Sequence, residues 1–152
     1  MTTSNSIFRD LVLCLENAEA KYLIVGAHAL GIYTSPRNTS DIDFFVEPTS
    51  ENGEKLLRAL NAFGLGGIDL AAADFTNPEI VIQFGVPPNR VDFLSGIDGV
   101  EFDAAWNERV RHPIADVEGN FISKDLLIQN KLAAGRPKDL LDVRRLRQEP
   151  LI

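Results

Sequence analysis

Asp41-Ile-Asp-Phe-Phe-Val46 starts with two acids one residue apart and then runs apolar. In a β-strand successive side chains alternate faces, so Asp41, Asp43 and Phe45 are expected on one side and Ile42, Phe44 and Val46 on the other. The two carboxylates then share a face. Their Cα atoms would lie roughly 6.5 Å apart, close enough for both to converge on divalent ions spaced about 3.5 to 4 Å from each other. Without a cation, like charges at that distance repel, and one carboxyl is expected to take up a proton.

Fifteen positions before Asp41, Gly26 closes a second apolar run, Tyr22-Leu-Ile-Val-Gly26. This run is expected to be a strand buried on both faces, followed at once by a short helix, Gly26-Ala-His-Ala-Leu-Gly-Ile-Tyr33. The turn chemistry of Ser35-Pro-Arg-Asn-Thr-Ser40 then delivers the chain to the acidic strand. Upstream, residues 7–20 carry apolar side chains at helical spacing, with Ser4 or Ser6 as cap. Downstream, Ser50 is expected to cap a helix through Leu56, Leu57, Leu60 and Phe63, ended by Gly64, Gly66 and Gly67. Residues 68–78 show no clear period.

Residues 79–86 and 90–95 are strand-like runs joined by Pro87-Pro-Asn89, which predicts an antiparallel hairpin carrying Asp92. A short helix is expected over 102–106. A second hairpin, 111–117 with 120–122, is expected to turn at Glu118-Gly119. Helices are expected over 124–134 and again from Pro137, a residue favoured in a first helical turn. The fold class is therefore α/β (α+β): a mixed, twisted sheet flanked by helices, packed mainly on one face.

The chain has 152 residues, 45% hydrophobic and 24% charged, which fits one domain spanning 1–152 with a core that needs no disulfide. No apolar run reaches the ~18 residues of a membrane span. Arg9, Asp10, Glu16 and Glu19 interrupt the apolar positions near the start, unlike a secretory signal. The expected setting is cytoplasmic, with no membrane partner. Cys14, the only cysteine, is expected to fill core space. A net charge of −7 disfavours stable duplex DNA binding. From Arg136 onward there is a local surplus of two positive charges, which usually marks a solvated helix face but could steer a phosphate or an RNA end.

A glycine at a strand end, a short helix whose N–H groups can hold phosphate, an Asp-x-Asp strand and a third aspartate on a hairpin strand together resemble the polymerase-β-like nucleotidyltransferase superfamily. The matching residues are Gly26-Ala27, a thirteen-residue spacer, Asp41-Ile-Asp43, and Asp92 in Arg-Val-Asp-Phe-Leu94. Ala27 departs from the usual Gly or Ser: it keeps the backbone N–H but offers no hydroxyl. Pro36-Arg37, Thr39 and the late Lys131-Leu-Ala-Ala-Gly-Arg136 with Lys138, Asp139 and Asp142 are similar to the bacterial branch with AbiEii-type toxins. The resemblance covers residues 21–146 and implies a minimal nucleotidyltransferase fold.

It also implies that Asp41, Asp43 and Asp92 bind Mg²⁺ or Mn²⁺, that Gly26, Ala27, Arg37 and Lys131 bind the phosphates of an NTP, and that the nucleotidyl group passes to an acceptor. The acceptor is an RNA end, a protein hydroxyl or a small molecule. The alternative is a non-catalytic binding module of a toxin–antitoxin pair, with a helical partner protein. Glycosyltransferases also use Asp-x-Asp but generally need a longer chain, and the phosphatase pattern Asp-x-Asp-x-Thr fails at Phe45. His28 is expected to be a packed or surface side chain in preference to a nucleotide contact, and His112 is given no role. Lys138, Asp139 and Asp142 are spaced for ion pairing within one helix.

Overall fold

The computed structural model describes residues 4–34, 41–86 and 89–148. Six strands form one mixed sheet: β1 (Tyr22–Val25), β2 (Asp41–Val46), β3 (Val81–Phe84), β4 (Arg90–Leu94), β5 (Val110–Ile114) and β6 (Val117–Phe121), in the order β3-β4-β2-β1-β6-β5. Six helices flank it: α1 (Ser4–Asn17), α2 (Gly26–Tyr33), α3 (Ser50–Leu60), α4 (Phe102–Asn107), α5 (Lys124–Ala134) and α6 (Pro137–Leu146). Strands β1 and β2 are antiparallel, β2 and β4 parallel, and β3 pairs antiparallel with β4 as expected of the hairpin. Its Pro87 and Pro88 lie outside the described residues.

All four residues of β1 are buried, as its unbroken apolar run demands of a strand with neighbours on both sides. On one face Tyr22 and Phe44 meet edge to face and Phe44 stacks on Phe93. Helix α1 closes on this face through Val12, which lies beside Ile24 and Gly119. On the opposite face, the one carrying Asp43, Phe45 meets Phe102 of α4 at 5.1 Å. The helices therefore cover both sides, where the sequence led us to expect mainly one.

Two boundaries differ from expectation. The cap of α3 is Thr49, whose Oγ1 accepts from Asn52 N at 3.1 Å, one residue before Ser50. Asn52 is itself buried: its side chain accepts from Lys21 N at 2.7 Å and donates to Lys21 O and Glu47 O, tying α3 to the start of β1 and the end of β2. The β5–β6 hairpin turns at Ala115-Asp116, with Ala115 at φ 55, and not at Glu118-Gly119. Gly119 sits inside β6, where Ile24, Val12 and Tyr22 come close to its Cα. It is a strand glycine, not a turning one. The segment without a clear period holds a single 3₁₀ turn, Ala72–Phe75, that buries Phe75. None of the helices among the described residues is long and apolar enough to cross a membrane.

Candidate active site

The register of β2 on β4 builds the site. Asp43 pairs with Asp92 and Asp41 with Arg90, and partners on adjacent strands project from the same face. All three acids therefore leave one side of the sheet. Val25, partner of Asp43 on β1, is followed directly by Gly26, the first residue of α2. Gly26 has φ +67, and a Cβ there would collide with Asp43 Oδ2. Only glycine combines this backbone with the close approach of the carboxylate. Val25 supplies no side-chain acceptor to the first turn of α2, whose leading N–H groups face the acidic side of the sheet beside Asp43.

Helices α5 and α6 pack on each other and on α2, completing a cavity of about 560 Å³. Its wall contains Gly26, Ala27, Asp41, Asp43, Asp92 and Lys131, which are six of the seven expected site residues. The seventh, Arg37, lies outside the described residues. The same wall holds Arg90, Arg136, Lys138, Asp139 and Asp142. A somewhat larger hollow, about 650 Å³, opens beyond Phe45, but its wall has Glu47, Glu101 and Asp103 and no lysine or arginine. A triphosphate would be repelled there, so the smaller cavity is the better candidate.

Burial, then the charge and hydrogen bond of Asp92 and the charge of Asp41, push the Asp43 carboxyl up to about 6, against a smaller opposing pull from Arg90. Repulsion between crowded acids contributes to this rise, but burial is its largest cause. Lys131 is buried, with Nζ 3.1 Å from Asp142 Oδ2 and 3.7 Å from Asp139 Oδ1. Asp139, only 2% exposed, also receives Arg136 Nε at 2.6 Å, and this guanidinium holds its carboxyl below the usual range. Asp139 and Asp142 thus reach Lys131 on the neighbouring helix, beyond the pairing within α6 that their spacing suggested. His28 is packed, its ring edge-on to Phe8 at 5.2 Å, and burial pushes its pKa down.

Carboxylate oxygens are the donors that Mg²⁺ and Mn²⁺ prefer, so the residues fit such an ion in kind. Among the described residues no three His, Cys, Asp or Glu side chains are arranged as a ready metal site. The Arg90 guanidinium lies among the acids, 2.9 Å from Asp41 Oδ2 and 3.5 Å from Asp92 Oδ1. Arg90 was not among the residues expected here. Its signal was present, because Arg90-Val-Asp92 obeys the same i, i+2 rule as Asp41-Ile-Asp43.

Gly26→Ala is expected to destabilise the protein by about 1–3 kcal/mol, through left-handed backbone strain and displacement of Asp43. Urea denaturation checks it; an unchanged midpoint would mean that α2 starts differently.

No protein-family model matches the chain, and no curated protein matches it.

Proposed function

We propose that the chain is a metal-dependent nucleotidyltransferase, moving a nucleotidyl group from an NTP to an acceptor hydroxyl or phosphate. The observation that carries this is the in-register pairing of Asp43 with Asp92 on parallel strands, which puts acids from β2 and β4 on one face beside a glycine-led helix. Held by Asp41, Asp43 and Asp92, divalent Mg²⁺ or Mn²⁺ supplies Lewis-acid stabilisation of the transferring phosphoryl group.

The chain's own groups account for the rest. The N–H groups at the start of α2, beginning with Gly26 and Ala27, bind phosphate oxygens. Lys131, fixed by Asp142 and Asp139, presents a positioned charge to the leaving pyrophosphate, with Arg136 and Lys138 nearby in the same wall. Asp92 comes from a different strand than the other two acids and has a side chain only 10% exposed, which suits it to hold the acceptor's proton at Oδ.

Two observations favour a second reading, a non-catalytic nucleotidyltransferase-like module that binds a helical partner in a toxin–antitoxin pair. Arg90 pairs with acids the chemistry needs, and Ala27 brings no hydroxyl to a phosphate. Calorimetry with ATP, GTP, CTP and UTP in Mg²⁺ or Mn²⁺ separates the two. Metal-dependent binding that disappears in Asp41→Ala plus Asp43→Ala is the expected result; a wild-type protein that binds none of these nucleotides favours the module.

A further inference from the structure

Among the described residues Arg9, Arg90, Arg111 and Arg136 all meet carboxylates, and Arg90 does so differently from Arg9 and Arg136. Arg9 grips Asp116 with two hydrogen bonds, Nε at 2.7 Å and Nη2 at 3.0 Å. Arg136 grips Asp139 in the same forked manner, Nε at 2.6 Å and Nη2 at 3.2 Å. Such bidentate pairing is the strong, settled geometry of a guanidinium on a carboxylate. Arg90 is instead divided, with Nη2 on Asp41 at 2.9 Å and Nε facing Asp92 Oδ1 at 3.5 Å. Nε and Asp92 Oδ1 are both buried, and neither has a hydrogen-bond partner. Buried donors and acceptors left so are costly, which makes this an arrangement open to replacement.

We propose that Arg90 is the protein's internal counter-cation: it occupies the space between Asp41 and Asp92 when no metal is bound and gives it up to a divalent ion. This rests on the metal-binding reading of the same acids.

The competition follows from charge. Acids from two strands, facing one hollow, need positive charge between them, and one guanidinium offsets part of their repulsion. A divalent ion brings twice the charge to an all-oxygen donor set and satisfies Asp92 Oδ1. Its apparent affinity is lowered by the work of expelling Arg90, and the bare site is thereby protected from binding metal alone. The expelled guanidinium remains at the wall that also carries Lys131 and Arg136, where the phosphates of an incoming nucleotide can receive it.

The test uses Mn²⁺ alone as the probe, with affinity read by electron paramagnetic resonance on the nucleotide-free protein at neutral pH. Arg90→Gln is expected to bind Mn²⁺ more tightly than wild type, by about tenfold, the effect of removing a competitor worth roughly 1.4 kcal/mol. In EDTA the same variant should melt lower than wild type, and saturating Mn²⁺ should close that gap. A purely structural Arg90 would lower the melting temperature without tightening Mn²⁺. Equal or weaker Mn²⁺ binding by Arg90→Gln, with wild type binding, overturns the counter-cation role and leaves the metal site standing. If neither protein binds Mn²⁺ at millimolar concentration, the metal reading of the acids falls with it. Should Arg90→Gln fail to fold, Arg90→Lys serves: its ammonium cannot span two carboxylates, so Mn²⁺ should still bind more tightly than to wild type, and weaker or equal binding overturns the proposal.

Discussion

Asp43→Asn is expected to abolish the proposed metal-dependent nucleotidyl transfer, by about 10²- to 10³-fold or more, while making the metal-free protein more stable. The two effects have one source. Asp43 lies between Asp41 and Asp92 on a partly buried face, and its carboxyl is pushed up to about 6 by burial and by its acidic neighbours. In the unfolded chain that carboxyl titrates at the ordinary 3.8. Below that value both states hold the proton, and Asp43 costs nothing. As pH rises through the interval from about 4 to 6, the unfolded state gives up its proton first, so stability falls; above 6 the penalty is complete. An asparagine never pays it. The gain for Asp43→Asn in EDTA should therefore be absent near pH 4 and reach about 1–2 kcal/mol at neutral pH, reduced from the full linkage value because the site is partly open to solvent. Urea titrations of both proteins across that interval check it. The same exchange at Asp41, which takes Arg90 at 2.9 Å, removes a favourable pairing and should not stabilise. A neutral-pH loss of stability in Asp43→Asn would show that the three acids are not in mutual repulsion, and the case for a cation between them would go too.

The sheet was legible because its central strands are stated by pattern alone. Tyr22-Leu-Ile-Val carries no charged residue and reads as a short strand with neighbours on both sides, while the alternation in Asp41-Ile-Asp-Phe assigned faces. The face shared with Asp92 required more than pattern, since it depends on β2 and β4 lying parallel and in register, which is a long-range fact. Gly119 misled because it lies within β6, paired with His112, while the turn falls to Ala115 at positive φ. Arg90 stands two residues before Asp92, so the strand period alone puts both on one side, but its pairing with Asp41 depends on the register between β2 and β4. Asp139 looked like one end of a surface pair on α6. Its burial comes from the α5–α6 contact, and no local signal announces which face of a charged helix turns inward.

That burial gives Asp139→Ala an expected loss of stability of about 2–3 kcal/mol. Asp139 is 2% exposed and serves three roles at once. It accepts from Arg136 N at the start of α6, forks with the Arg136 guanidinium, and faces Lys131 Nζ at 3.7 Å. Arg136 is mostly exposed and can return to water, so its share of the loss is small. Lys131 cannot, since its side chain is 11% exposed, and it keeps only Asp142 among the carboxylates the structure places on it. Most of the cost is therefore a buried ammonium stripped of half its compensation. Two consequences distinguish this from loss of the helix cap. Combining Asp139→Ala with Lys131→Met should restore part of the stability, because the uncompensated charge is gone; simple additivity of the two losses would contradict the coupling. The pH dependence also has a fixed sign. Arg136 and Lys131 hold the Asp139 carboxyl below its ordinary value, so its contribution is fully present above that value and is lost as pH falls through the depressed one. Wild type and Asp139→Asn should thus differ most near neutrality and converge in acid, a trend that urea titrations at a few pH values can read directly.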